Sequence, residues 1–207
     1  MKVKIHRTLE LIMILLFVTV FLILLFINII SDVKYSLKTE LENKNLQVVN
    51  LKQEKINQIE SLNSLKIKNV EYRISNLQPR LDTQLKERIS ISILKNCEKY
   101  NLSPNLVIHL IFRESSFNHM STSSKGAIGL MQIMFSAHKD KIKISKNELY
   151  EIENNVDYGC MILKHYIKIS KGNLQKALIR YVGGKEQDYI NDIFRLMAEF
   201  DNQKYNS

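Results

Sequence analysis

The sequence predicts an all-α protein, or nearly so, in which a transmembrane helix and a long helical stalk precede a helical domain. Three observations carry that prediction. Only six Gly and two Pro occur in 207 residues, so helix breakers are scarce, while Leu and Lys, both good helix formers, are common. Residues 33–78 contain no Gly and no Pro at all. Beyond them, apolar residues recur at helical spacing, and no useful run alternates apolar with polar. At about 150 residues per domain, the chain is one domain with appendages.

Thirty Lys and Arg against twenty-one Asp and Glu give a net charge of +9. The excess is spread out: three cations and one anion in residues 1–31, nine and seven in 32–85, eighteen and thirteen in 86–207. No block of five or six like charges occurs, and aromatic residues do not interleave with basic ones. A nucleic-acid partner is therefore not expected; solvated helix faces with a mild preference for anionic partners are.

Residues 1–31 form the first segment. Leu9 to Ile30 is apolar apart from Glu10, Thr19 and Asn28, and about 22 helical residues span a hydrocarbon layer of roughly 30 Å. Lys2, Lys4 and Arg7 precede the run, so the positive-inside rule keeps the N-terminus in the cytoplasm and places the remainder outside. A cleavable signal peptide has a shorter apolar region ending in small residues; here Ile29 would stand at the outer small position of a cut after Ser31. The expectation is an uncleaved single-pass anchor in the cytoplasmic (inner) membrane, holding the rest on the outer, periplasmic side.

Residues 32–85 read as a stalk. Leu37, Leu51 and Leu65 take heptad position d, and Leu41, Val48 and Leu62 take position a. Lys44 and Lys55 interrupt that seam, and Ile56 and Ile59 lie on a neighbouring stripe, the pattern of a stutter. The reading is a long helix of roughly 65 Å, a plain spacer or a parallel coiled-coil homodimer. Pro79 should end it, since proline removes a donor and restricts Gln78.

Residues 86–207 form the C-terminal domain. Ile89, Ile93, Leu94 and Cys97 share a face over 86–100. Ser103-Pro104 offers an N-cap and an N1 proline for the next helix. That helix carries Leu106, Val107, Leu110 and Ile111 to Arg113-Glu114-Ser115-Ser116-Phe117, and further helices are expected at 155–170, 174–182 and 186–200. Glu114 stands at a helix C-terminus among apolar residues. The negative end of the dipole and apolar neighbours both raise a carboxyl pKa, as a general acid requires. By charge alone, an Arg113–Glu114 surface ion pair is the competing reading.

The wider pattern carries a resemblance. Glu114-Ser115-x-Phe117-Asn118 is followed by Ser123-Ser124-x-Gly126-Ala127-x-Gly129-Leu130-Met131-Gln132-Ile133-Met134, then by Asn155-Val156-x-x-Gly159 and Tyr181-x-Gly183-Gly184. In order and spacing, over roughly residues 90–195, these resemble the soluble-lytic-transglycosylase (SLT) family, the goose-lysozyme-like enzymes that cleave peptidoglycan. The resemblance implies a lysozyme-like helical domain in which Glu114 is the catalytic acid/base. It implies further that Ser123, Gln132 and Met134 line the cleft beside the sugar and that Tyr181 lies near the carboxyl group. Gly126 and Gly129 would allow tight backbone beside the substrate. Two positions depart from the family pattern: Phe135 replaces its usual Pro, and Val182 its usual Asn, which removes a hydrogen-bonding side chain.

The residues also bear on the chemistry. Most glycoside hydrolases use two carboxyl groups, yet no Asp or Glu lies between Glu114 and Asp140. A single carboxyl suits a reaction in which the substrate supplies its own nucleophile. In the family, Glu protonates the bond between MurNAc and GlcNAc and then deprotonates the muramyl 6-hydroxyl, closing a 1,6-anhydro ring. The partner implied is the peptidoglycan glycan strand. A catalytically lapsed peptidoglycan-binding module and a hydrolase of the same fold are the alternatives.

No cofactor and no metal are expected. The five His are scattered at 6, 109, 119, 138 and 165, without His-Glu-x-x-His or Cys-x-x-Cys spacing. His119 reads as an exposed loop residue or a neighbour of the cleft. Cys97 and Cys160 lie on separate apolar faces, as buried free thiols or, outside the cytoplasm, a disulfide.

Overall fold

The computed structural model describes residues 2–184 and 187–203. Helix α1 runs from Lys2 to Leu77 without a break, as expected of a stretch lacking Gly and Pro, and stops at Gln78, ahead of Pro79. The chain divides into two compact units, Met1–Ser61 and Leu62–Ser207.

The first unit is helix alone. From Leu11 to Ile30 its large apolar side chains are 43–80% exposed, and α1 carries a window of mean hydropathy 3.1, long and apolar enough to cross a membrane. Thr19 interrupts this window without stranding a polar group, because its Oγ1 donates to Leu16 O at 2.8 Å. Lower down, Lys44, which breaks the heptad seam, pairs with Glu40 of its own chain at 2.7 Å.

The second unit begins earlier than the sequence pattern implied. Val70 and Ile74, assigned above to the stalk, are buried in its core, so the last turns of α1 belong to the helical unit. Helix α2 (Thr83–Tyr100) is capped by Asp82, whose carboxylate accepts from Leu85 N at 2.9 Å, and ends at Asn101 in the left-handed region. Helix α3 (Pro104–Ser115) starts on its N1 proline as expected, but the Ser103 hydroxyl makes no cap bond. A small antiparallel hairpin follows, pairing β1 (Ala127–Ile128) with β2 (Ile133–Met134) in the register Ala127↔Met134. Next come the single turn α4 (Phe135–His138) and a 3-10 turn at Asn147–Tyr150.

Helices α5 (Ile152–Ile169), α6 (Leu174–Val182) and α7 (Gln187–Gln203) complete seven α-helices among the described residues. Asn173 caps α6 by accepting from Lys176 N at 2.9 Å, and Gly183 closes it at φ +73°. Helix α5 is central, packing against α2 on one side and α6 on the other, while α3 packs against α7. Ile89, Ile93, Ile108, Leu110, Ile111, Val156 and Leu163 are wholly buried in this core, each stabilising it by about 1.5–3 kcal/mol. The α3–α7 packing sets the site, because it brings the C-terminal turn of α3 against the start of α7.

Candidate active site

Glu114 lies in the last turn of α3 and is half-buried. Two consecutive left-handed residues, Ser116 at φ +51° and Phe117 at φ +64°, turn the chain sharply after it. Such conformations are costly for non-glycine residues, and the wholly buried Phe117 ring anchors them. Ser115 fixes the same corner, its Oγ lying 2.9 Å from Leu130 O and 3.2 Å from Ile111 O. The Glu114 carboxylate accepts a 2.7 Å hydrogen bond at Oε1 from Tyr189 OH, on α7. Burial, the Glu114 charge and this bond together push the Tyr189 hydroxyl far above the ordinary tyrosine range. Tyr189 therefore stays protonated and acts as a fixed donor that orients the carboxylate.

Arg113, the neighbour named in the competing ion-pair reading, is engaged on another side. Arg113 pairs with Asp192 at 3.3 Å, and its guanidinium sits 5.3 Å from the centre of the Tyr189 ring. The two neighbours thus share one task from two sides, Arg113 supporting the ring whose hydroxyl holds Glu114.

The hairpin turn 129–132 is clamped against three helices. Asn155 of α5, wholly buried, accepts from Met131 N at 2.8 Å and donates from Nδ2 to Ile128 O at 2.9 Å and Leu149 O at 2.7 Å. Tyr181 of α6 donates to Met131 O at 2.8 Å. Burial, then the nearby Glu114 charge, raises the Tyr181 hydroxyl well above its usual range, so it too remains a donor. A Cβ on Gly129 would run into the Asn155 amide and lie 2.9 Å from Leu149 O, and one on Gly159 would lie 2.7 Å from Met131 Cβ. The Asn155-x-x-x-Gly159 pattern is therefore a seat for Met131. Gly129 is small because of Asn155, whereas the sequence reading assigned its close approach to the substrate.

The other residues singled out from sequence fall around this turn. Ser123 is half-buried and its Oγ accepts from Ala127 N at 3.0 Å, shaping the loop before β1. Gln132, at φ +46°, turns Nε2 back to Gly129 O at 2.9 Å. Met134 is half-buried at the end of β2. His119 is half-buried rather than an exposed loop residue, with Nδ1 3.1 Å from Tyr150 O. Val182 and Phe135 pack against the apolar core. Asp157 is held by Lys99 at 2.7 Å and Tyr100 at 2.6 Å, and Asp140 is exposed. No group of three or more His, Cys, Asp or Glu suited to a metal occurs among the described residues.

A half-buried carboxylate at a helix end, oriented by a neutral tyrosine beside a clamped backbone turn, is an arrangement able to give and take a proton. The family follows from comparison: residues 91–194 match the transglycosylase SLT domain, half of the chain, and the chain belongs to that family. It is 35% identical over 89 residues to a transglycosylase of Enterobacteria phage PRD1, covering 43% of this chain and 32% of that protein. It is 31% identical over 96 residues to membrane-bound lytic murein transglycosylase C of Yersinia pestis (strain Pestoides F), covering 42% of this chain and 27% of that protein. The chain thus spans about three tenths of the curated relatives it matches. Among solved structures it is similar to the X-ray structure of an inactive mutant of lytic transglycosylase Slt from Pseudomonas aeruginosa. That match has a TM-score of 0.46 and 18% identity, and covers 56% of this chain and 24% of that one.

Tyr189 escaped the sequence reading. It sits on the apolar face of the last helix, where a lone Tyr reads as core, and only the packing of α3 on α7 brings it to Glu114. Tyr189→Phe is expected to lower kcat on glycan about 10- to 100-fold with little change in KM, since a hydrogen bond to a charged group contributes about 1.5–3 kcal/mol. Steady-state kinetics of the two proteins on one peptidoglycan preparation check this; an unchanged kcat would remove Tyr189 from the site.

Proposed function

We propose that this chain is a membrane-anchored lytic transglycosylase that cleaves the β-1,4 bond between MurNAc and GlcNAc and leaves 1,6-anhydroMurNAc ends. The observation that carries the reading is the lone Glu114 carboxylate, half-buried and held by a tyrosine that stays protonated. Glu114, in its acid form, gives its proton to the glycosidic oxygen as the bond breaks. The resulting carboxylate then takes the proton of the muramyl 6-hydroxyl, which attacks the anomeric carbon, so no water is consumed. One group serves both steps, and Tyr189 keeps it in place between them. Ser123, Gln132 and Met134 flank the sugar in this reading, and Tyr181 holds the Met131 carbonyl on the same side.

Hydrolysis would need a second carboxylate to activate water. Of the candidates raised by the sequence, Asp157 is engaged by Lys99 and Tyr100, and Asp140 is exposed. Mass spectrometry of peptidoglycan digested by the purified protein is the test. Anhydro-muramyl products are expected; hydrated reducing ends would mean a hydrolase, and no products would mean a binding module.

Residues 9–30 serve as the anchor, with the N-terminus inside, because Lys2, Lys4 and Arg7 flank that side. The mature protein is accordingly expected in membrane fractions at its full 24.2 kDa. Protease should reach residues 32–207 only from outside. A soluble chain beginning near residue 32 would overturn the anchor.

A further inference from the structure

The only two cysteines of the chain lie in its core, and the proposed chemistry uses neither. Cys97 is on the buried face of α2 and Cys160 on that of α5. Side-chain bonds across the two helices fix their register around the pair. Lys99 and Tyr100, just beyond Cys97, both bind Asp157, one turn before Cys160, at 2.7 and 2.6 Å. Lys164, one turn after Cys160, donates to Asn101 O at 3.2 Å. Arg88, before Cys97 on α2, binds Glu153, before Cys160 on α5, at 3.0 Å, so these contacts bracket the two thiols on both sides. The Cys97 side chain, then burial, raises the Cys160 thiol well above its usual range.

We infer that Cys97 and Cys160 are a disulfide-forming pair that ties α2 to α5 when the chain folds in an oxidising compartment, the last clause resting on the outside location proposed above. The bond forms by exchange with a small-molecule or protein disulfide. One cysteine thiolate attacks the oxidant's disulfide and releases one thiol; the second attacks the mixed disulfide and releases the other. The protein loses two protons and two electrons, and the oxidant disulfide becomes two thiols. The exchange belongs to folding rather than to the folded state, because both thiols are buried and inaccessible thiols react slowly. The segment enclosed, 97–160, carries Glu114, the hairpin and Asn155, so the bond restricts the unfolded form of most of the site. Closing a loop of that length should raise Tm by about 10 °C.

The test uses the full chain purified in detergent with dithiothreitol. It is partly opened in intermediate urea with oxidised and reduced glutathione, quenched in acid and treated with a maleimide mass tag under denaturing conditions. Expected are a mass lower by two hydrogens, no tag, and a Tm about 10 °C above the reduced sample. Cys97→Ala and Cys160→Ala should each abolish the Tm gain and leave one cysteine carrying glutathione or tag. Two free thiols, two glutathione adducts, or an internal disulfide that lowers Tm in the wild-type protein would overturn the pairing. A parallel sample is alkylated directly in host membranes, where the disulfide is expected already formed. Free thiols there, together with a disulfide in the glutathione arm, would overturn the outside location and uphold the pairing.

Discussion

Glu114→Gln is expected to lower kcat on peptidoglycan by at least about 10³-fold. Positioned proton transfer contributes about 10²–10⁴-fold to a rate, and here one carboxyl group both gives and takes a proton. A neutral amide can do neither. The substitution nevertheless keeps volume and shape, and the Gln side-chain oxygen can still accept the Tyr189 hydrogen bond seen at 2.7 Å in the wild-type protein. Tm should therefore stay within about 2 °C, since the Tyr189 hydroxyl keeps its acceptor. Binding to glycan strands should also persist, which separates lost chemistry from a lost fold. Thermal melts, a pull-down on insoluble peptidoglycan and product analysis, run on both proteins, check the three parts together. Wild-type turnover by Glu114→Gln would remove Glu114 from its assigned role.

Much of this protein is legible in its sequence, and the residues that are not share a physical reason. Helix α6 spans Leu174–Val182, the limits expected from the apolar spacing, because Asn173 and Gly183 punctuate both ends locally. Glu114 stands out through its motif and its place at the end of an apolar helix. Val70 and Ile74 lie within the stretch read as stalk but off its a/d seam, at b and f. That this face is a core face depends on what the rest of the chain folds against it. Tyr189 and the seat for Met131 are likewise tertiary: the groups that meet are 75 residues apart for Tyr189 and Glu114, and 24 for Met131 and Asn155. The tightness of Gly129 was legible from its motif, but its cause was not, since the Asn155 amide that fills the space arrives from another helix.

Asn155→Ala should destabilise the helical unit by about 3–5 kcal/mol, the largest effect on stability expected from any single change near the site. The side chain is wholly buried and serves three backbone groups at once: Met131 N, Ile128 O and Leu149 O. Alanine leaves all three without that partner inside the core, at about 1–3 kcal/mol for each group that relaxation or an entering water does not satisfy. For a unit of this size the loss corresponds to a fall in Tm of roughly 10–15 °C. Glycan cleavage should fall as well, even at temperatures where the variant is folded, because Met131 N and O link the turn to Asn155 on one side and Tyr181 on the other. Asn155→Asp separates hydrogen bonding from simple loss of volume. The carboxylate can still accept from Met131 N but turns an acceptor toward two carbonyl oxygens that now receive a donor, so it should be at least as damaging as Ala near neutral pH. The Asp variant should recover part of its stability in acid, where the protonated carboxyl regains one donor. Melts of both variants between about pH 4 and 8 decide the matter. An Asp variant as stable as wild type across that range would show that the two carbonyl bonds contribute nothing and that Asn155 serves only to hold Met131.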